Sequence, residues 1–153
     1  MKEYTCREDL GLKEGEKLVY VPMAADIVHP GHINILKTAR ELGRVMVGLF
    51  TDDAIRSYKP EPYMDYEKRE IVLSEIKGVD FVVPQVSKDY KPNLRKFHPE
   101  YFVHGTDWRK GPLAEVRQQA IDLIAEWGGE VVEPEYTQGV SSTELKKKAK
   151  GQE

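Results

Sequence analysis

Short apolar runs alternate with helical stretches along the chain. Five runs that are apolar on successive residues predict strands, namely Leu18–Val21, Val45–Phe50, Phe81–Val83, Tyr101–His104 and Glu130–Val132. Helices are predicted between and after them, at Ile33–Leu42, Tyr66–Lys77, Pro92–Phe97, Ala114–Trp127 and Thr143–Lys150. Strands that are apolar on both faces are typical of a parallel sheet covered by helices on both sides. The pattern therefore predicts an α/β, doubly wound, five-stranded parallel sheet with ligands bound beyond the strand carboxyl ends.

The two ends of the chain are richer in charged residues than its middle. Residues 1–17 are charge-rich and predict an N-terminal surface extension, while residues 18–150 predict a single domain, and Lys146–Glu153 reads as a charged surface end. Residues Ser57–Asp65 hold two prolines without an apolar period, which predicts a loop able to act as a lid. Three glycine positions predict left-handed helix ends, namely Gly43, Gly78 and Gly128-Gly129.

Composition narrows the class of protein. The 153 residues are 40% hydrophobic and 32% charged, which is ordinary for one soluble globular domain. A net charge of −3 gives no general attraction for nucleic acid, so an anion site has to be local. Cys6 is the only cysteine, which excludes an intrachain disulfide and favours a reducing cytoplasm. No apolar run is long enough to predict a membrane span, and no signal peptide is predicted.

Polar residues of catalytic types follow four of the five predicted strands. They are Asp26, His29 and His32 after the first strand, Thr51, Asp52 and Asp53 after the second, His104 to Trp108 after the fourth, and Tyr136 to Thr143 after the fifth. Parallel strands end at one edge of the sheet, so these groups are expected to converge there. The convergence predicts one shared site.

The string His29-Pro30-Gly31-His32 lies where the first strand gives way to a helix. Two imidazoles one turn apart at a helix N-terminus can direct donors at one phosphorus centre, assisted by free backbone N–H groups. A pair of histidines is also compatible with a metal, but no companion Cys/His cluster with zinc spacing occurs, and we predict no protein-held metal. The chain has neither a P-loop string nor a G-x-G-x-x-G after the first strand.

Three further positions have both a structural and a functional interpretation. Ser141 with Glu144 fits a helix capping box, while Ser141, Ser142 and Thr143 could also hold phosphates. Lys59 is either a solvated surface charge or the mobile cation that phosphoryl-type transfer needs. Arg69 is either a phosphate clamp or a surface partner of Glu70 or Asp65.

Large aromatic residues are more often part of a core than of a ligand site. We assign Tyr63, Tyr66 and Tyr90 to the core on that ground, and Trp108 to the ligand pocket.

These residues together resemble the HxGH nucleotidyltransferases, and within them the small cytidylyltransferases. The supporting strings span most of the chain, from about Lys17 to Lys148, and are ADIVHPGH (25–32), FTDD (50–53), YEKREIVLSEIKGVDFVVPQ (66–85), HGTDW (104–108) and TQGVSST (137–143). The resemblance implies a Rossmann-like fold and transfer of CMP from CTP to a small phosphate- or phosphonate-bearing acceptor, with release of pyrophosphate. It implies Mg²⁺ carried by the CTP phosphates, a homodimer, and no nucleic-acid or membrane partner.

The resemblance also assigns roles to residues. His29, His32 and Lys59 would stabilise the α-phosphate during transfer. Nucleotide contacts would come from Met23, Ala24, Ala25, Gly31, His104, Gly105, Asp107, Trp108, Thr137, Gly139, Val140, Ser141, Ser142 and Thr143. The acceptor would be bound by Asp26, Thr51, Asp52 and Arg69.

The chain departs from the family pattern at two places. Tyr136 stands where the family usually has arginine, so a positive charge has to come from elsewhere, with Lys77 as one candidate. Met23-Ala24-Ala25-Asp26 replaces the usual Gly-Thr-Phe-Asp. With these departures the chain resembles the cytidylyltransferase branch that acts on phosphonates such as 2-hydroxyethylphosphonate. Phosphocholine, phosphoethanolamine and glycerol 3-phosphate are the other candidate acceptors. An ATP-dependent adenylyltransferase and a non-catalytic nucleotide-binding regulator are the alternatives.

Overall fold

The computed structural model describes residues 3–135 and 142–151, with the side chains of residues 142–144 excepted. Its centre is a five-stranded sheet, and every pair of neighbouring strands is parallel. The strands are β1 (Leu18–Met23), β2 (Arg44–Phe50), β3 (Val79–Gln85), β4 (Tyr101–Val103) and β5 (Glu130–Val132). Their spatial order is β3-β2-β1-β4-β5. All five predicted strands are confirmed.

Helices connect the strands, as predicted. They are α1 (Pro30–Leu42), α2 (Asp52–Arg56), α3 (Tyr66–Ser74), α4 (Lys91–Phe97), α5 (Ala114–Ala125) and α6 (Ser142–Ala149). Helix α2 was not predicted, because its five residues, capped by the Thr51 side chain, are too few for an apolar period. Short 3-10 turns lie at Arg7–Leu10, Thr106–Trp108 and Gly111–Leu113. None of the helices in the described part of the chain is long and apolar enough to cross a bilayer.

Alternate residues of each strand face two separate cores. In β1, Tyr20 belongs to the core that α4 and α5 cover, and Val19 and Val21 belong to the core that α1 and α3 cover. Both sets are fully buried because helices lie on both faces of the sheet. This arrangement confirms the Rossmann-like doubly wound fold and explains the unbroken apolar runs.

Glycine is required at position 43 for a reason other than the one predicted. Gly78 and Gly128 have the expected positive φ, but Gly43 has φ 166°, which is extended backbone open to any residue. A Cβ at Gly43 would lie 2.3 Å from the Lys17 carbonyl oxygen. The close approach of the turn between α1 and β2 to the chain entering β1 therefore requires a glycine, and the left-handed prediction is wrong here.

The segment before β1, which we expected to be a surface extension, packs on the domain along the described residues. Leu10 is buried in the core, and the Tyr4 ring meets Phe81 edge-on at 5.3 Å. Arg7 forms an ion pair of 2.5 Å with Glu100 before β4. The segment thus extends the core below the sheet, at the end opposite the strand carboxyl termini.

The sheet order places the switch in chain direction between β1 and β4. From β1 the chain proceeds outward through β2 and β3 on one side, and through β4 and β5 on the other. The connections above β1 and β4 therefore separate and leave a crevice at their carboxyl ends, where ligands of this class of fold bind. The start of α1 and the turn at Thr106–Trp108 border this crevice.

Candidate active site

His29 and His32 begin helix α1 through their own side chains. The Gly31 amide donates to Nδ1 of His29 at 3.0 Å, and the His29 amide donates to Nδ1 of His32 at 3.1 Å. The two rings lie 4.0 Å apart between centroids. Because Pro30 has no amide hydrogen, the histidines satisfy donors that the first helical turn would otherwise leave unpaired. The helix consequently begins three residues earlier than the apolar pattern predicts.

These two bonds fix the tautomer of both rings. An Nδ1 that accepts a hydrogen bond carries no proton, so each neutral ring carries its proton on Nε2. Burial lowers the pKa of His29, and burial together with the charges of His29 and Lys59 lowers the pKa of His32 to about 4. Both rings are therefore neutral at pH 7 and present an Nε2–H donor on the side away from the helix backbone.

A cavity of about 390 Å³ opens beside His32 at the carboxyl end of β1. Its described wall includes the residues that follow β1, the loop after α2 and one face of α6. These lining residues are Ala24, Ala25, Asp26, His32, Ile55, Tyr58, Lys59, Pro60, Glu61, Tyr63, Lys146, Lys147 and Lys150. His29 lies outside this cavity and lines a neighbouring depression with Pro30 and Lys37. The structure thus brings His32 and Lys59 to one cavity, with the His29 ring next to His32 at an interplanar angle of 45°.

Lys59 belongs to the loop between α2 and α3, which has no helix or strand, as the two prolines predicted. The pKa of Lys59 is lowered on balance. Partial desolvation and the charge of Lys146 lower it, and the charges of Asp26 and Asp107 oppose this only in part. The loop is tied to the end of β1, because the Tyr63 and Met64 amides donate to the two oxygens of Asp26 at 2.9 and 3.0 Å. Its action as a lid stays a prediction.

Asp26 is almost fully buried and is paired with Lys146 of α6. Burial raises the pKa of Asp26, but the Lys146 ammonium and the two loop amides outweigh it and hold that pKa below its usual range. The preceding Ala25 has φ 51°, a left-handed conformation that costs energy in a residue with a Cβ. Strained backbone and a paired buried carboxylate therefore adjoin on the cavity wall.

Arg69 is fully buried and ties the ends of two strands together. Its guanidinium donates to the carbonyls of Ala24, Phe50 and Met64 at 2.7 to 2.9 Å, and to Asp52 at 2.6 Å. It therefore forms neither of the surface pairs that were the alternative, with Glu70 or Asp65.

Thr51 and Asp52, expected with Arg69 to bind the acceptor, also have protein partners. Thr51 caps α2 through the Ala54 amide, and Asp52 forms the ion pair with Arg69. None of the three lines the described cavity. Their contact with an acceptor stays a prediction, and their observed partners give them a structural role.

Trp108, predicted to belong to the ligand pocket, is wholly buried and does not line the described cavity, and its contact with a nucleotide stays a prediction. His104 stacks on Trp108 at 3.8 Å, and the indole Nε1 donates to Glu133 at 2.6 Å. Hydrogen bonds from Arg117, opposed by burial and assisted by Arg109 and Trp108, hold the pKa of Glu133 near 2. Trp108 thus supports the His104 ring at the end of β4.

The remaining nucleotide-contact predictions fall partly outside the described residues. Thr137, Gly139, Val140 and Ser141 lie there, and Ser142 and Thr143 are described only as the start of α6. Of the others, Met23 is buried at the end of β1, Gly31 is buried in the first turn of α1, and Gly105 and Asp107 lie in the turn after β4.

Three residues that the sequence predicted to lie in the core or on the surface line the cavity, namely Tyr63, Lys146 and Lys150. Tyr63, expected in the core, is 49% exposed and faces the cavity, so that prediction is wrong. Lys146, expected in a charged surface end, has a side chain only 22% exposed. Lys146 and Lys150 are four residues apart, a spacing that places them on one helical face and could have indicated a shared site. Lys77 is exposed and does not line the cavity.

The described residues contain no group of three or more His, Cys, Asp and Glu side chains placed to hold a metal ion. The two carboxylates of the cavity wall are engaged, Asp26 by Lys146 and Glu61 by Arg56 at 2.5 Å. This donor set fits an anion better than a protein-held cation.

Comparison with known proteins identifies the family of this chain. The family model described as Cytidylyltransferase-like matches residues 24–148. Glycerol-3-phosphate cytidylyltransferase of Staphylococcus aureus is 32% identical over 130 residues, which are 84% of this chain and 91% of that protein. The bifunctional protein HldE of Actinobacillus pleuropneumoniae is 32% identical over 139 residues, and this chain spans only 28% of its length.

Solved structures agree on the fold. The lipopolysaccharide core biosynthesis protein from Thermoplasma volcanium superposes with a TM-score of 0.65 at 24% identity, over 80% of this chain and 98% of that one. Pantoate-beta-alanine ligase from Francisella tularensis gives 0.61 at 13% identity, over 96% and 76%. The family match covers the HxGH turn, the cavity and the end of β4 together. The chain therefore belongs to the cytidylyltransferase-like family of nucleotidyltransferases.

Proposed function

We propose that this protein transfers CMP from CTP to a small phosphate- or phosphonate-bearing acceptor and releases pyrophosphate. The observation that carries the proposal is the paired capping of α1 by His29 and His32 beside Lys59. It places the neutral His32 ring and the Lys59 ammonium on the wall of one cavity, with the neutral His29 ring 4.0 Å from His32 and just outside that cavity.

In the proposed reaction an anionic oxygen of the acceptor attacks the α-phosphorus of CTP in line. A new P–O bond forms, and the bond between the α-phosphorus and the oxygen bridging to the β-phosphate breaks. Pyrophosphate carries away that electron pair. Because the attacking oxygen is already ionised, no side chain has to remove a proton.

The protein contributes by placing positive charge where negative charge develops. Neutral Nε2–H donors of His29 and His32 would bond to the non-bridging oxygens of the α-phosphate as their charge increases, and Lys59 would neutralise it. Donors held by the first turn of α1 need little rearrangement at the moment of reaction. Mg²⁺ enters in this proposal as part of the magnesium–CTP substrate, since both cavity carboxylates are paired within the protein.

The test is pyrophosphate release by the purified protein with CTP, ATP, GTP or UTP, each with Mg²⁺. Each nucleotide is supplied with glycerol 3-phosphate, 2-hydroxyethylphosphonate, phosphocholine or phosphoethanolamine. We expect release only with CTP and only when an acceptor is present, with the CMP adduct detected by mass spectrometry. Turnover with ATP alone would replace the proposal by an adenylyltransferase. Nucleotide binding without turnover for any pair would replace it by a regulator.

The homodimer and the cytoplasmic location also stay proposals. Sedimentation of the purified protein at micromolar concentration tests the first, and fractionation of the source cells tests the second.

A further inference from the structure

Lysines of the protein lie close to both tyrosine rings of the described cavity wall, Tyr58 and Tyr63. The Lys146 ammonium lies 4.8 Å from the centre of the Tyr63 ring, and the Lys150 ammonium 5.9 Å from it. An aromatic face attracts one cation at about this distance, which is how proteins recognise quaternary ammonium ligands. In this protein the cations next to the Tyr63 ring are the lysine side chains of α6.

The second tyrosine of the wall is covered in the same way. The Lys88 ammonium lies 4.3 Å from the centre of the Tyr58 ring, and the Lys59 ammonium 5.4 Å from it. A cationic ligand that approached either tyrosine of the described wall would therefore come close to lysines of the protein.

The carboxylates of the described wall are already paired with cations of the protein. Asp26 accepts from two backbone amides and from Lys146, so its oxygens are engaged. Glu61 is bound by Arg56 through Nε at 2.5 and 2.8 Å. A ligand cation would have to compete with Lys146 for the buried Asp26, and with Arg56 for Glu61, whose side chain is 63% exposed.

The described wall carries more positive than negative charge. The lysine cluster (Lys59, Lys146, Lys147 and Lys150) faces only two carboxylates, Asp26 and Glu61, each already paired. With His32 neutral, the cavity attracts an anion and repels a second cation that accompanies it.

We infer that the acceptor site takes a molecule whose only charge is its phosphate or phosphonate group, and that Lys146 is the residue that determines this specificity. Acceptors with an ammonium head, such as phosphocholine and phosphoethanolamine, are disfavoured, and neutral-headed ones such as glycerol 3-phosphate and 2-hydroxyethylphosphonate are preferred. This inference rests on the proposed function for the identity of the reaction. Its basis is the excess of lysines on the described wall, their position against the two tyrosine rings, and the pairing of both carboxylates.

Lys146 has the central position in this inference. It is the only described side chain that both pairs with Asp26 and covers Tyr63. An arriving acceptor anion would draw the Lys146 ammonium toward itself, whereas an ammonium head would compete with Lys146 for Tyr63 and Asp26.

The experiment is equilibrium binding of four acceptors to the ligand-free protein by isothermal titration calorimetry at pH 7.5. We expect glycerol 3-phosphate and 2-hydroxyethylphosphonate to bind at least ~10-fold more tightly than phosphocholine and phosphoethanolamine, since opposed like charges cost more than ~1.4 kcal/mol. Equal or tighter binding of the ammonium compounds overturns the inference, and so does the absence of binding by all four.

Variants of α6 assign the effect. Lys146→Ala and Lys150→Ala should weaken glycerol 3-phosphate binding, Lys146→Ala by about tenfold, and should narrow the preference over phosphocholine. Lys148→Ala is the matched control, since Lys148 is on the same helix and does not line the cavity, and it should bind as the wild type does. Lys150→Ala leaves the Asp26 pair intact and keeps the test valid if Lys146→Ala unfolds.

Two outcomes distinguish failure of the acceptor specificity from failure of the proposed function. If Lys146→Ala weakens CTP binding and leaves glycerol 3-phosphate binding unchanged, the lysines serve the leaving group and the inference is wrong. If the binding preference holds but no nucleotide supports turnover, the proposed function fails while the specificity stands.

Discussion

His29 and His32 each accept a backbone amide through Nδ1 at the start of α1, which leaves Nε2–H as the donor that the proposed transfer would use. The same hydrogen bond that stabilises the helix start also selects the tautomer with its proton on Nε2. Lowered pKa values keep both rings neutral near pH 7, so they act as donors without an added charge. In the proposed function each of these side chains has both a structural and a chemical role, and a substitution can separate the two.

His32→Asn tests that separation. The asparagine oxygen can replace Nδ1 as acceptor for the His29 amide, but no donor remains where Nε2–H was. We expect at least ~100-fold lower turnover for both His32→Asn and His32→Ala. His32→Ala should lose a further ~1 kcal/mol of unfolding free energy with the lost cap, and His32→Asn should not.

The matched control is His98→Asn. His98 lies in a left-handed position with φ 46°, which asparagine tolerates, and it stacks on Trp127 away from the cavity. Its turnover should equal that of the wild type. Full activity in His32→Asn would remove His32 from the chemistry.

Arg69 determines how the elements around the site are held together. One buried side chain joins the ends of β1 and β2, the start of α2 and the loop that precedes α3. The loop carries Lys59, and Ala24 at the end of β1 leads into the cavity wall. The spacing of these elements, and with it the shape of the cavity, therefore depends on the Arg69 guanidinium. The resemblance had predicted that this group binds the acceptor.

Arg69→Met keeps most of the volume and removes every one of these bonds. It leaves three carbonyls and the Asp52 carboxylate without their partner, which should cost about 3–5 kcal/mol of unfolding free energy. Urea denaturation measures the loss. Arg56→Met is the control, because Arg56 pairs at the surface and should change stability by about 1 kcal/mol or less. Arg69→Lys should not restore stability, since one ammonium cannot reproduce the planar fork. A loss below ~1 kcal/mol for Arg69→Met would refute the structural role.

Titration couples the site to the stability of the whole domain. The pKa values of His29, His32 and His104 are all lowered, chiefly by burial, so the folded state binds fewer protons than the unfolded chain below pH ~6.5. Stability is then greatest above that pH and decreases as acid is added. The lowered pKa values of Asp26 and Glu133 add a second loss, which begins only near pH 4.

Chemical denaturation at pH 7.5 and pH 5 measures the first loss. With a folded pKa of about 4 and an unfolded value near 6.5, His32 alone should account for about 2 kcal/mol of it. The wild type should therefore lose about that much more than His32→Asn over the same interval, because the carboxylates are common to both. Equal losses in the two proteins would mean that His32 titrates normally.

Much of the fold was predictable because local pattern and global architecture agree. Unbroken apolar runs require a sheet covered on both faces, and the observed strands lie on those runs. Element ends were less predictable, since they depend on caps such as His29 and on contacts such as that between Gly43 and Lys17. A five-residue helix such as α2 shows no period at all.

The site divides in the same way. The HxGH turn could be located because its residues are adjacent in the chain and act within one helical turn. The cavity could not, because Lys146 reaches Asp26 across 120 positions, and no local pattern reports such a contact. For the same reason the sequence did not predict that Tyr63 lies on the cavity wall or that Trp108 is wholly buried, since burial of an aromatic side chain depends on its neighbours in space.

Sequence alone thus fixed the parallel α/β architecture, the family resemblance and the histidine pair, all of which depend on the order and spacing of neighbouring residues. Tertiary structure decided the partners of Arg69, the burial of Trp108 and the lysines that face the cavity. Those features arise where separate elements meet, and electrostatic pairing and burial there are set by distances that the chain order does not contain.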